Sequence, residues 1–256
     1  MTNHIINIQK DQCIGCGLCV KTCVAHNMKL EDGKARLISD TCLMCGQCSA
    51  VCPKAAISIS GYEETPKLQD YQKLNPNDVL DTIRFRRTIR QFQSKSVPKE
   101  VIDQILEAGR LTHTAKNKQD VSFVVLDKER ANIEQMAVRL FRLLKPFANI
   151  GSSMNKRVQI TDHFFFFDAP IVIVILAEDN INGILASQNM EFVAEAHGLG
   201  VLMSGFFTMA ANHSRRIKKA LNIPKGKKVA STLVIGYPSV KFQRSAQREP
   251  LQVLYK

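Results

Sequence analysis

Apolar and polar positions follow two rhythms along this chain. Up to about residue 60 the apolar runs are short. HIINI at 4–8, a stretch near Met28–Leu30, KARLI at 34–38 and AISIS at 56–60 each predict a brief strand, set between glycine- and cysteine-bearing turns. From 61 to 76 the sequence GYEETPKLQDYQKLNP is polar, holds two prolines and shows no periodic apolar face, so it reads as a linker. Beyond it the runs lengthen. Asp78–Arg87 and Pro98–Leu111 have helical spacing, with Pro98 at a first-turn position and Ser96 as a candidate cap. VSFVVLD at 121–127 predicts a strand, and Lys128–Lys145 a basic amphipathic helix ended by Pro146. The continuous apolar run APIVIVILA at 169–177 predicts a strand buried on both faces. Asn180–His197 predicts a helix closed by Gly198, Phe207–Leu221 another that stops before Pro224, and VASTLVIGY at 229–237 the last strand. Helices and strands interleave, so residues 77–256 predict an α/β domain with a layered sheet under helical cover.

The cysteines change the picture of the first 60 residues. All eight lie in two runs, Cys13, Cys16, Cys19, Cys23 and Cys42, Cys45, Cys48, Cys52, each spaced C-x2-C-x2-C-x3-C. None of the 204 residues after Cys52 is a cysteine. The runs are an internal repeat with an offset of 29, which also maps Gly17 on Gly46, Ile8 on Leu37 and Leu30 on Ile59. Disulfides would suit a secreted chain, and no secretory signal is visible in MTNHIINIQKD. Zinc would need four ligands per site but no third cysteine in register.

That spacing, with Pro53 after Cys52, is similar to the bacterial-type ferredoxins that carry two 4Fe–4S clusters. The resemblance implies a ferredoxin-like α+β domain over residues 1–60. In that family the fourth cysteine of each run ligates the other cluster. Cluster I would then take Cys13, Cys16, Cys19 and Cys52, and cluster II Cys42, Cys45, Cys48 and Cys23. Val24 stands where the family pattern has a second proline. So small a module has little core of its own, and its clusters would supply much of its folding free energy.

Composition bounds the rest. The chain has 256 residues, 45% of them apolar and 23% charged, which is globular and not disordered. No apolar stretch approaches the roughly 20 residues of a spanning helix, which points to a cytoplasmic protein. The net charge is +12, of which residues 1–60 hold +2 and the remainder +10. The basic residues are scattered without a nucleic-acid motif, so they read as a solvated surface or a steering field for anionic partners.

Four stretches of the second domain carry candidate chemistry. Arg86-Arg87-Thr88-Ile89-Arg90-Gln91-Phe92 gathers guanidinium groups suited to forked hydrogen bonds with a phosphate, although a basic helix end would look the same. Thr112-His113-Thr114-Ala115-Lys116-Asn117-Lys118-Gln119 precedes a strand. Gly198-Leu199-Gly200 runs on to Ser204-Gly205-Phe206. Ile235-Gly236-Tyr237-Pro238 is followed by Lys241, Arg244 and Arg248. In this order they resemble the nitroreductase-family flavoproteins, in the R-R-S-x-R-x-F, A-P-S-x-x-N-x-Q-P-W, G-L-G…E-G-F and I-G-Y-P…R-R segments. His113 replaces a proline, Thr114 a serine, Asp120-Val121 a Pro-Trp pair, and Ser204 a common glutamate.

The resemblance implies a nitroreductase-like domain over 77–256 with a layered mixed sheet, FMN as cofactor and a homodimer. It places Arg86, Arg87, Thr88, Arg90, Arg244 and Arg248 at the flavin phosphate and Thr114, Asn117, Ser204 and Gly205 at the flavin. His113 becomes a candidate proton donor, set against an ordinary surface role. The chain would be an oxidoreductase that takes electrons from a low-potential donor such as ferredoxin through its clusters to FMN, and reduces a nitroaromatic, a quinone or a similar electrophile. Two alternatives compete with it: NAD(P)H reducing the flavin while the clusters export electrons to a protein, and a cluster-bearing redox sensor that binds nucleic acid. No complete GxGxxG follows a strand, which points away from a bound dinucleotide of the Rossmann type. The run Phe164–Phe167 reads first as core or dimer interface.

Overall fold

The structure is a computed structural model that describes residues 4–62, 66–67, 70–148 and 156–256. It forms two compact units. The first comprises Met1–Lys73 together with Thr114–Lys118, and the second Leu74–His113 together with Gln119–Lys256. The linker reading at 61–76 falls partly on residues 63–65 and 68–69, outside the described residues.

In the first unit, β1 (Ile6–Ile8) pairs antiparallel with β4 (Ile57–Ile59), and β2 (Met28–Glu31) with β3 (Lys34–Leu37). Two short helices, α1 (Leu18–Thr22) and α2 (Gln47–Ala50), start at Gly17 and Gly46, equivalent positions of the repeat. Ile6, Met28, Ala35 and Ile57 are buried with Cys19 and Cys48, so the cysteines are themselves part of this small core.

The second unit is built on a four-stranded sheet in the order β5 (Ser122–Leu126), β6 (Ile171–Ala177), β8 (Lys228–Gly236), β7 (Gly200–Met203), with every neighbouring pair antiparallel. An isolated parallel bridge joins Thr88 to Val201 on the open edge of β7. All seven residues of β6 are buried, as its unbroken apolar run predicts. Side chains alternate along the strand. Val172, Val174 and Leu176 pack with Leu126, Val138, Phe165, Phe166 and Phe207 on one face; Ile171, Ile173 and Ile175 pack with Ile105, Met190, Leu199 and Ile235 on the other. Helices α4 (Lys99–Arg110) and α6 (Asn180–Ala196) cover the second face, while α5 (Arg130–Ala148), α7 (Gly205–His213) and α8 (Arg215–Ala220) cover the first. Helix α3 (Pro76–Phe85) is amphipathic but has no buried residue; Asn75 caps it by accepting from Asn77 N.

Several boundaries differ from the sequence reading. The helix expected over Phe207–Leu221 is two helices. Ser214 is extended between them and its hydroxyl accepts from Ile217 N, which caps α8. Pro146 lies inside α5, which runs on to Ala148: in the last turn its missing N–H removes one bond without stopping the helix. Pro98 is the N-cap residue of α4, and Ser96 makes no cap. Gly200–Met203 is a strand, because its four residues are held by β8 and the first three are buried.

Buried polar groups mark the stressed points of this unit. Glu134 on α5 accepts from Phe165 N at 3.0 Å and Phe166 N at 2.7 Å, so it caps the phenylalanine run from inside the core. Burial pushes its carboxyl above the usual range, against those two bonds. Phe165 and Phe166 are buried there, which makes them core. Asp120 accepts from Glu178 N (2.9 Å), Asp179 N (3.1 Å) and Asn182 Nδ2 (2.7 Å), tying the start of β5 to the start of α6. Burial alone would raise its pKa, but these hydrogen bonds outweigh it and hold the carboxyl below its ordinary value.

Candidate functional site

Three cysteines of the first run share a cavity with one cysteine of the second. Cys13, Cys16, Cys19 and Cys52 line one cavity, with Ile14, Gly15, Leu30 and Pro53 also in its wall. Cys52 comes from the other run, the arrangement in which a fourth thiolate crosses between clusters. Among the described residues no three His, Cys, Asp or Glu side chains converge on a point that would hold a single metal ion. Backbone N–H groups point at the sulfurs: Ala35 N to Cys13 Sγ, Asn27 N to Cys23 Sγ and Ala56 N to Cys52 Sγ, each at 3.3 Å, and Met44 N to Cys42 Sγ at 3.4 Å. The bonds from Ala35 and Gly15 lower the Cys13 pKa, which favours the thiolate that iron needs. Burial raises Cys19 and Cys48 above their ordinary value. Thiolates set around a cavity and met by amide donors fit an iron–sulfur cluster.

In the second unit, three of the four motif stretches meet at one corner of the sheet. The segment carrying Arg86, Arg87 and Thr88 runs along the edge of β7: Ile89 N donates to Val201 O at 3.1 Å, and Gln93 N donates to Tyr237 O at 2.8 Å. Gly200 permits this approach, because a Cβ there would lie 2.4 Å from Ile89 Cγ1. The outcome is a cavity of about 690 Å³ lined by Arg86, Arg87, Gly198, Gly200, Pro238 and Lys241, with Phe192 and Glu195 of α6 and Phe85 of α3.

Basic and acidic side chains share its wall. Arg86 forms an ion pair through Nη1 with buried Glu191. Arg87 Nη1 donates to Arg86 O at 3.0 Å, while Nη2 is buried with no partner. A buried guanidinium nitrogen without an acceptor is costly, and a phosphate oxygen would satisfy it. Glu195 opposes a bound anion when charged. Burial and the neighbouring Glu191 raise its pKa to about 7, with Arg86 pulling the other way, so much of it is neutral near neutral pH. Burial likewise raises Glu191 against the pull of Arg86.

The other sequence candidates stand elsewhere. Thr88 and Arg90 are exposed on the same segment and do not line the cavity. Ser204 is buried at the start of α7; its hydroxyl donates to Phe165 O at 3.1 Å and its N–H to Thr232 O at 2.8 Å. Beside it Gly205 faces open space, with nothing within 4 Å of where a Cβ would lie. Arg244 and Arg248 are exposed in the irregular C-terminal stretch and do not reach the cavity wall. His113 is exposed and is not in the wall either. Thr114 and Asn117 belong to the first unit, where Asn117 Nδ2 donates to Leu43 O and Met44 O. Sequence reasoning passed over Glu191, Phe192 and Glu195. Their signal was present: two acidic residues four apart, hence on one face, near the end of an otherwise apolar helix.

Residues 83–237 match the nitroreductase family, and residues 5–67 match a 4Fe–4S dicluster domain. A protein of Methanothermobacter thermautotrophicus assigned as NADH dehydrogenase/NAD(P)H nitroreductase is 27% identical over 176 residues, covering 65% of this chain and 81% of that one. A ferredoxin of Thermococcus litoralis is 39% identical over 56 residues, 21% of this chain and 95% of that one. Among solved structures, a nitroreductase with bound FMN from Desulfitobacterium hafniense shares the fold at a TM-score of 0.57 and 18% identity, over 71% of this chain and all of that one.

The chain belongs to the nitroreductase family and carries a ferredoxin-type 4Fe–4S dicluster domain ahead of it. It is an FMN-dependent oxidoreductase of the iron–sulfur flavoprotein kind. No helix among the described residues is long and apolar enough to cross a membrane.

Proposed function

We propose that this chain takes electrons from a low-potential donor of the ferredoxin type through its two clusters to FMN, and delivers them to a small flat electrophile such as a nitroaromatic or a quinone. The observation that carries this reading is the union, in one chain, of a complete eight-cysteine electron-carrying module and a nitroreductase-family domain. FMN supplies the conversion between one-electron and two-electron transfer when bound. The protein binds and orients it. Arg86 and Arg87 hold the phosphate, a role supported by the buried Nη2 of Arg87, which has no protein partner, and by Arg86 and Lys241 in the same wall. None of Thr88, Arg90, Arg244, Arg248 and His113 lines this cavity; the family resemblance alone would add the first four to the phosphate site, His113 as proton donor, and Ser204 and Gly205 along the ring.

The protein acts as a cytoplasmic homodimer. Exposed apolar residues support a second copy: Ile181, Ile184 and Leu185 share one face of α6, and Leu251, Leu254 and Tyr255 lie exposed in the C-terminal stretch. Light scattering of the purified protein checks this, and a monomer at micromolar concentration contradicts it.

A second reading is favoured by the name of the Methanothermobacter relative, which includes NAD(P)H. In it NAD(P)H reduces the flavin and the clusters export electrons. Anaerobic stopped-flow separates the two. Faster flavin reduction by reduced ferredoxin than by NADPH supports the first; rapid reduction by NADPH alone reverses the direction.

A further inference from the structure

The two ligand loops of the ferredoxin unit are repeats, yet they are braced differently. Gly15 in the first loop takes φ +68. Its counterpart 29 residues on is Met44, which takes φ +52 with a full side chain. That conformation costs a non-glycine residue about 1–2 kcal/mol, so the second loop needs an added hold.

The first loop is held from within the ferredoxin sequence. Lys34 Nζ donates to Cys13 O at 2.6 Å, and Ala35 N donates to Cys13 Sγ at 3.3 Å. Gly15 packs so closely on Gly33 that a Cβ would sit 2.1 Å from the Gly33 carbonyl oxygen. The second loop is held by residues from far along the chain. Asn117 Nδ2 donates to Leu43 O at 3.3 Å and to Met44 O at 2.9 Å, and Thr114–Lys118 fold as part of the first unit. Asn117 itself is left-handed, at φ +51.

The Leu43 carbonyl and the Met44 N–H belong to one peptide group, and that N–H donates to Cys42 Sγ at 3.4 Å. Asn117 therefore stands at the head of a two-bond chain that ends on a cluster II thiolate. Donation to the carbonyl polarises the peptide and strengthens its N–H as a donor. Hydrogen bonds to cluster sulfurs help set reduction potential, because they stabilise the more negative, reduced state.

We propose that Asn117 is a positioning residue for cluster II: it fixes the Leu43–Met44 peptide against Cys42 and so holds that cluster at a higher reduction potential than the unbraced loop would. The proposal rests on the two-cluster reading and adds that the two clusters are tuned separately, one from inside the ferredoxin sequence and one from residue 117.

The test is potentiometric titration followed by electron paramagnetic resonance on anaerobically purified full-length protein, comparing wild type with Asn117→Ala, Asn117→Gln and Lys34→Met. Asn117→Ala lowers the potential of one cluster and leaves the other in place, or selectively loses one cluster's iron. Asn117→Gln, which keeps an amide donor, recovers part of that shift. Lys34→Met moves the opposite cluster. Two unmoved potentials, equal shifts in both, or joint loss of both clusters in Asn117→Ala would overturn the proposal. So would loss of flavin with both potentials unmoved, which would return Asn117 to the flavin. A wild type with fewer than about eight irons overturns the two-cluster reading itself; eight irons without a selective shift overturns the role of Asn117 alone.

Discussion

Replacing Glu195 with Gln gives a stability difference that depends on pH in a defined sense. Glu195 shares the end of α6 with Glu191, one turn earlier. Burial first, then the Glu191 charge, raise its pKa from 4.5 to about 7. The folded value lies above the unfolded one, so between pH 4.5 and about 7 the folded protein keeps a proton that the unfolded chain has released. Stability therefore falls as pH rises through that window and levels off above it. At 1.36 kcal/mol per pH unit the whole difference amounts to about 3 kcal/mol. The side chain faces an open cavity, and solvent screening reduces this to about 1–2 kcal/mol. Glutamine removes the ionisation. Urea denaturation of the full chain, followed by circular dichroism from pH 5 to 8 under anaerobic conditions, reads the outcome. The Gln variant gains on the wild type by about 1 kcal/mol across that range, which is about 0.5 M in midpoint at an m value of about 2 kcal/mol/M. An anion held by Arg86 and Arg87 moves Glu195 further in the same direction. A difference that stays constant with pH, or a variant that loses ground at pH 8, would refute the assignment of Glu195 as a carboxyl strained by burial.

Arg87→Met removes the buried Nη2, which has no partner within the protein. A hydrogen bond to a charged group contributes about 1.5–3 kcal/mol, so FMN affinity falls about 10- to 100-fold by fluorescence titration, and an unchanged affinity contradicts the phosphate role. Asp120→Ala removes the acceptor of Glu178 N, Asp179 N and Asn182 Nδ2 and costs about 1–3 kcal/mol. Because the Asp120 pKa is held down in the fold, this advantage of the wild type is present above the unfolded value of 3.8 and lost as pH falls below it. A gap that persists unchanged at pH 3 would contradict that sign. Gly15→Ala drives a methyl group to 2.1 Å from the Gly33 carbonyl oxygen at a left-handed backbone position. It removes cluster I, leaving about four irons of eight, and retention of all eight contradicts the packing described.

The cysteine ladder and the buried strand were legible in the sequence because each is a local rule. Cluster ligation fixes residue type and spacing within a dozen residues, and a strand covered on both faces must be apolar at every position. The break at Ser214 was hidden because apolar spacing continues across it, and only the serine that caps α8 betrays it. The cavity at Arg86 and Arg87 was half legible. Its basic residues are contiguous in sequence, whereas Glu195 and Phe192 reach it only because α6 ends where the Arg86 segment passes. The place of Asn117 could not be read at all. Its partners lie more than 70 residues earlier, and a side-chain bond to a backbone carbonyl leaves no mark on the residue types of those partners.

The central claim is that two clusters and one flavin share this chain. Anaerobic purification with iron, sulfide and flavin quantification, followed by reductive titration in the visible spectrum, tests it most directly. About eight irons, eight sulfides and one FMN per chain are expected, with cluster and flavin absorbance bleaching together under reductant. Four irons would contradict the paired clusters, and a protein without flavin would contradict the rest.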